Sequence, residues 1–256
     1  MHPGPNNHQS HRLNAVLAEI DAASRSAGRA APPRLIAVTK SVPPEVAHGL
    51  YLAGQRDFGE NRLAELERKR AWFEAHGAAD ARWHFLGHLQ RNKARRVLRL
   101  AQAIHSVDSL ALIETLERIS AEEGLRPAVF LELALTGEAT KTGFDPQQLP
   151  AALEALFAAR HLEPRGLMAM AALGGDDGAT RTAAAQTFES LARIAARCAD
   201  RPWGQGRPEL SMGMSSDWPA ALAAGSDWLR IGTALFAAEA PAPQAAPRTA
   251  SPGGSA

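Results

Sequence analysis

The sequence predicts an α/β fold, a single (β/α)8 TIM barrel with an extra N-terminal helix, and three observations carry that prediction. Eight short runs read as strands: Leu35 to Thr39, Asp57 to Gly59, Trp83 to Leu86, Ala103 to Val107, Ala128 to Leu133, Gly166 to Met170, Glu209 to Met212 and Trp228 to Gly232. They alternate with stretches of helical periodicity, as a parallel sheet covered by helices requires. Two helix-to-strand junctions rhyme, Ala53-Gly54-Gln55-Arg56-Asp57-Phe58 and Ala224-Gly225-Ser226-Asp227-Trp228, each with a glycine ending the helix shortly before a strand. The first strand leads into Lys40-Ser41-Val42-Pro43-Pro44, where an open dinucleotide-binding sheet would carry a glycine-rich fingerprint. The open sheet survives only if Asp57 to Gly59 is a loop.

Taken in order, Leu13, Val16, Leu17 and Ile20 recur at helical spacing after Ser10, giving an amphipathic helix before any strand. Residues 35 to 39, Leu-Ile-Ala-Val-Thr, are uncharged and partly β-branched, so they read as a strand buried on both faces. Pro43 and Pro44 end it and open a helix to Ala53. Further helices are expected over Asn61 to Ala75, Leu89 to Ala101, Ser109 to Glu123, Pro146 to Arg160, Thr180 to Cys198 and Asp217 to Ala224. The one opening at Ser109 is the clearest, with an N-cap serine, apolar Leu112, Ile113, Leu116 and Ile119, and Gly124 just beyond. Gln90 to Arg96 is a basic run read as a solvated helix face. Leu173 to Gly178 is glycine-rich, but Asp176 and Asp177 would repel a phosphate, so it reads as a mobile surface loop. Residues 1–9 and 238–256 are poor in large apolar side chains and are expected to be disordered tails around one undivided domain, 10–237.

The charges, 28 basic against 27 acidic, leave a net +1, so no whole-molecule field calls for nucleic acid or a membrane. A single cysteine, Cys198, excludes an internal disulfide, fits a reducing compartment, and falls in a helical pattern where packing is its expected role. No apolar run approaches a membrane span, and the N-terminus lacks the layout of a signal peptide. The expectation is a soluble cytoplasmic protein.

The chemistry is concentrated near the two ends of this barrel sequence. Lys40 stands where the first buried strand meets a loop; desolvation at an apolar barrel mouth would favour its neutral, nucleophilic amine, the form that condenses with an aldehyde. In such barrels the loops after strands 7 and 8 commonly bind phosphate. Here Gly213-Met214-Ser215-Ser216-Asp217 supplies two hydroxyls before a helix, and Arg230-Ile231-Gly232-Thr233 supplies backbone N–H groups and a third hydroxyl. Strands 1 and 8 are neighbours in a closed barrel, so amine and phosphate cradle would share one mouth. A compact ring carrying an aldehyde and a phosphate satisfies both, and pyridoxal 5'-phosphate (PLP) is the obvious candidate.

Six segments in register, Arg34 to Lys40, Phe58 to Asn61, Trp83 to Lys93, Gly166 to Met170, Leu210 to Ser215 and Arg230 to Phe236, closely resemble the pyridoxal phosphate homeostasis protein family, over about residues 13 to 237. The resemblance implies a barrel like the N-terminal domain of alanine racemase, with PLP held as a Schiff base and no well-established catalytic reaction. Carried over by position, Lys40 holds the aldehyde, Ser215, Ser216, Gly232 and Thr233 hold the phosphate, and Arg230 faces the pyridine nitrogen. Glu60 and Asn61 match a motif near the cofactor. Two departures stand out: Leu131-Glu132-Leu133-Ala134 replaces a Gln-Val-Asn type strand, which would alter one wall of the site, and Ala237 replaces a frequent glycine. The expected partners are PLP and PLP-dependent apo-enzymes, the expected state a monomer.

A guanidinium at the ring nitrogen can only donate, leaving that nitrogen largely unprotonated and the ring a poorer electron sink than most PLP enzymes need. Two-base racemisation needs a second acid/base opposite the lysine; the lone tyrosine, Tyr51, lies in the helix after strand 1 and is expected to pack or face solvent. His84 and His88 are four apart but straddle Gly87 with no third ligand close by, so no metal site is expected. The reading is therefore a protein that holds and delivers PLP and influences amino-acid balance. Its alternatives are a racemase-like PLP enzyme and a cofactor-free Schiff-base aldolase.

Overall fold

The computed structural model describes residues 5–136, 142–172 and 178–236. Eight parallel strands follow one another round a closed barrel: β1 Arg34–Val38, β2 Asp57–Glu60, β3 Arg82–Phe85, β4 Ala103–Val107, β5 Ala128–Glu132, β6 Glu163–Met168, β7 Glu209–Met214 and β8 Trp228–Ile231. β1 closes on β8, with Leu35 opposite Leu229 and Ala37 opposite Ile231. The segment at Asp57, weakest by sequence, is a strand with all four residues buried and paired along β3 from Asp57 with Arg82 to Glu60 with Phe85. The open sheet therefore falls.

The helices are α1 Pro5–Ser26, α2 Pro44–Leu52, α3 Leu63–Ala75, α4 Ala94–Leu98, α5 Leu110–Glu123, α6 Leu149–Ala158, α7 Gly178–Arg197, α8 Trp218–Ala223 and α9 Thr233–Phe236. α1 lies against α2, α8 and α9 and buries Leu13 and Ile20. It starts at Pro5, before Ser10, because once a helix is anchored each added residue gains a hydrogen bond without a new nucleation cost. Residues 5–9, expected in a disordered tail, thus belong to α1, while 1–4 and 237–256, with Ala237, lie outside the described residues. So does the Leu173 to Asp177 stretch. The helix expected over Leu89 to Ala101 is shorter: Leu89 is pinned in the core and Gln90 is extended, so only a turn at Arg91–Lys93 and α4 form. Ser109 occupies the N-cap of α5, but its side chain makes no capping bond; Gly124 ends the helix in the left-handed region, as expected.

The rhyming junctions are structurally alike. Gly54 (φ 105°) and Gly225 (φ 95°) both have positive φ. Gly54 N–H donates to Tyr51 O and Gln55 N–H to Leu50 O; Gly225 N–H donates to Leu222 O and Ser226 N–H to Ala221 O. The residue after each glycine then ties the helix end to the sheet: the Gln55 amide donates to Leu35 O and Asp57 O, and the Ser226 hydroxyl donates to Met212 O.

The core has two parts. A large apolar layer lies between sheet and helices and takes in Cys198. Inside the barrel Ile36, Phe130, Met168 and Trp228 form a small apolar cluster. Beside it sit buried His84, His105, Ser211 and Arg230, so the interior under the site is unusually polar.

Candidate functional site

A cavity of about 680 Å³ opens past the C-terminal ends of the strands. It brings together Lys40, Asn61, Ser215, Ser216, Arg230, Gly232 and Thr233, all seven of the cofactor-binding candidates named from sequence. They follow β1, β2, β7 and β8 or lie on β8, because closure makes β1 and β8 neighbours.

The backbone before Lys40 is held on every side. Thr39 N–H donates to Gly59 O at 3.1 Å, its hydroxyl donates to Glu60 Oε1 at 2.5 Å, and its carbonyl accepts from Lys69 Nζ at 2.6 Å and from Val42 N–H. Lys69 also forms a fully buried ion pair with Glu60. Glu60 thus braces the strand end that carries Lys40, a role its motif did not reveal, whereas Asn61 reaches the cavity wall. Lys40 itself is exposed, and its amine has no hydrogen-bond or ion-pair partner among the described residues. The desolvation expected of it is not supplied by the protein, because the mouth is open on that side.

The hydroxyl cluster is built where β7 turns into α8. Gly213 has φ 93°, and a Cβ there would sit 2.6 Å from Ala221 Cβ, so glycine permits the tight turn that presents Ser215 and Ser216. Asp217 Oδ1 accepts from Met214 N–H at 2.5 Å and fixes the turn, with burial raising its pKa. Gly232 N–H donates to Ser215 Oγ at 3.2 Å, joining the two loops. A Cβ on Gly232 would lie 3.0 Å from Val38 O, so a side chain there would press β8 away from β1.

Arg230 is buried, with NH1 donating to Ser211 O at 2.6 Å and Ser211 Oγ at 2.8 Å and NH2 to Ala169 O at 3.1 Å. Burial lowers its pKa to about 10, opposed by Asp217 and Glu132, so it is a cation at neutral pH. It lines the cavity as a donor without acceptor capacity.

Sequence reasoning gave no role to Glu132, which ends β5, lines the cavity and is buried. The Thr142 hydroxyl donates to it at 3.1 Å, and burial raises its pKa. Its signal was present in kind: like Lys40, it is the one charged residue closing an apolar strand. Of the segment Leu131 to Ala134, Glu132 is on the cavity wall. Met170, Met214, Leu86 and Val38 supply apolar lining.

Of the other singled-out residues, His88 is on the cavity wall, whereas His84, Tyr51 and the basic run are not. His84 is inside the barrel, whereas His88 is exposed and bonds Asp108 at 2.7 Å, so the two do not converge. The Tyr51 hydroxyl donates to Asp80, with the Arg56 guanidinium 4.2 Å from its ring, and Tyr51 is not part of the cavity wall. In the basic run Arg95 pairs with Glu122 and Glu123 and Arg96 with Glu67.

Residues 12–240 match the family model of the alanine racemase N-terminal domain. The pyridoxal phosphate homeostasis protein of Deinococcus radiodurans is 44% identical over 225 residues, spanning 87% of this chain and 98% of the relative. The chain belongs to the pyridoxal phosphate homeostasis protein family. The Pseudomonas aeruginosa member of this family is 39% identical over 225 residues, 87% of this chain and 92% of the relative. The structure of PipY from Synechococcus elongatus PCC7942 with PLP bound is similar at a TM-score of 0.74 and 38% identity, over 89% of this chain and 99% of that one. The family resemblance read from the sequence is thus borne out over most of the chain.

Proposed function

We propose that this protein binds PLP in the cavity at the C-terminal end of the barrel and serves intracellular PLP homeostasis. The observation that carries the reading is the convergence of three chemically distinct groups in one cavity. A free amine stands at Lys40, hydroxyls and N–H groups gather at Ser215, Ser216, Gly232 and Thr233, and a buried obligate donor stands at Arg230. These match an aldehyde, a phosphate and a pyridine nitrogen, and the cavity is of the size usual for small-ligand sites. The family relatives, and PipY with PLP bound, support the same cofactor.

When bound, PLP supplies an aldehyde that condenses reversibly with amines. Lys40 provides the amine that retains it, on a strand end braced by Glu60 and Lys69. Ser215 and Thr233 hold the phosphate together with backbone N–H groups. Arg230 donates toward the ring nitrogen and keeps that nitrogen from taking a proton. Such an arrangement favours retention and release over carbanion chemistry, and Tyr51 lies outside the cavity wall, away from where a second base would act. The recipients are PLP-dependent apo-enzymes, and the protein acts as a cytoplasmic monomer; among the described residues no helix is long and apolar enough to cross a membrane.

The visible absorption spectrum tests this directly, wild type beside Lys40→Ala, before and after borohydride. A yellow band that borohydride bleaches while fixing the cofactor covalently to Lys40, absent in the variant, is the expected result. A protein that takes up no added PLP would overturn the reading and favour a cofactor-free aldolase.

A further inference from the structure

A single file of hydrogen bonds crosses the barrel interior from its lower rim to the cavity. Arg82 donates to both oxygens of Asp57, at 2.7 and 2.6 Å. Asp57 Oδ1 lies 3.1 Å from His84 Nε2, His84 Nδ1 lies 2.9 Å from His105 Nε2, and His105 Nδ1 lies 2.8 Å from Ser211 Oγ. Ser211 Oγ in turn accepts from Arg230 NH1. His84, His105 and Ser211 are buried, and Phe130 stacks on His105 at 4.2 Å.

The proton positions follow from the two ends. An ionised carboxylate can only accept and a guanidinium can only donate. Asp57 therefore takes the proton of His84 Nε2, which leaves His84 Nδ1 to accept from His105 Nε2–H. His105 Nδ1 then accepts from the Ser211 hydroxyl, whose lone pair faces Arg230. With both rings neutral every link is satisfied and all point one way, from Arg230 to Asp57. A charged His105 would present Nδ1–H to Ser211, whose two lone pairs would then take both it and Arg230 and leave the hydroxyl proton without its acceptor in the file. Burial favours the neutral ring at both positions, and the titratable groups that bear on them, Arg82 and Arg34 at His84 and His84, Arg230 and Arg165 at His105, oppose protonation. Asp57 alone favours it, and only at His84.

We propose that Ser211 and His105 are positioning residues for Arg230. Their one-directional chain fixes which guanidinium hydrogens are spent on the barrel and which are left for a ligand in the cavity. Neither residue lines the cavity. The proposal rests on the reading of the cavity as a PLP site, in that the ligand group served is the ring nitrogen. Aligned hydrogen bonds in a low-dielectric interior polarise one another, so a change at one link reaches the other end.

The test compares full-length wild type, Ser211→Ala and Ser211→Thr. Removing the hydroxyl frees one Arg230 hydrogen and leaves His105 Nδ1 without a donor; threonine keeps the hydroxyl. Ser211→Ala is expected to bind PLP more weakly by roughly tenfold and to shift the pH profile of the bound chromophore, with Ser211→Thr restoring both. In cofactor-free protein, ¹⁵N spectra should show slowly exchanging Arg230 guanidinium hydrogens and both histidines as the Nε2–H tautomer, with the guanidinium signals lost in Ser211→Ala. Wild-type affinity and pH profile in Ser211→Ala would overturn the proposal, even if that variant were less stable. If no form binds PLP, the reading of the cavity fails, and the guanidinium and tautomer signals alone decide whether Ser211 and His105 position Arg230.

Discussion

Ser215 serves two neighbours at once: its hydroxyl oxygen accepts from Gly232 N–H and its proton remains free to face the cavity. Ser215→Ala should therefore weaken PLP binding by about 10- to 100-fold, the range for losing a hydrogen bond to a charged group, and loosen the contact between the two loops. Equilibrium titration with PLP measures it, and unchanged affinity would remove Ser215 from the phosphate cradle. Lys40 is read from a single feature, a charged side chain closing an apolar strand. Glu132 shares that feature, and only its place on the cavity wall separates it from an ordinary strand-end charge.

The end of β1 depends on α3 for its order. Lys69 reaches from that helix to the Thr39 carbonyl and to Glu60, and both charges are wholly buried. Removing one partner strands the other, so Lys69→Met should cost about 3–5 kcal/mol in urea unfolding. Adding Glu60→Leu should return much of that loss, because an apolar pair of similar volume avoids the stranded charge. If Lys69→Met unfolds like the wild type, the pair does not brace β1. The α2 and α8 ends show the complementary case, where local chemistry suffices: positive-φ glycines at positions 54 and 225 end both helices in the same way.

Across the whole barrel, the buried imidazoles and Asp57 set how stability responds to acid. Burial holds His84 below the usual 6.5 and His105 well below it, so the unfolded chain binds protons that the folded one refuses. Their stabilisation is complete above about pH 6.5 and is lost as pH falls, at up to about 1.4 kcal/mol per pH unit for each ring. For Asp57 burial acts upward, but hydrogen bonds from Arg82 and His84 outweigh it and bring the carboxyl down to about 2. That contribution persists above about 3.8 and disappears as pH drops toward 2. Urea unfolding from pH 7 to 5 should show stability falling, with a shallower slope in His105→Asn. A wild-type profile flat over that interval would contradict the neutral, buried assignment.

The barrel could be read from the chain because its evidence is local: short apolar strands, helical periodicity and glycine stops each depend on residues close in sequence. Lys40, Ser215, Ser216, Gly232 and Thr233 were equally readable, since strand ends and loop composition place them on one rim once the barrel closes. The helix over Leu89 to Ala101 came out short because burial of Leu89 overrides propensity, and residues 5–9 of the tail expected before Ser10 joined α1 through helix propagation. The Glu60–Lys69 brace, the inward-facing Glu132 and the file from Arg230 to Asp57 could not be read. Each joins residues from separate strands or from a strand and a helix, and the low dielectric that gives those contacts their strength exists only after the chain has closed around them. Sequence determined which residues stand at the rim of the barrel; tertiary structure decided what lies beneath it.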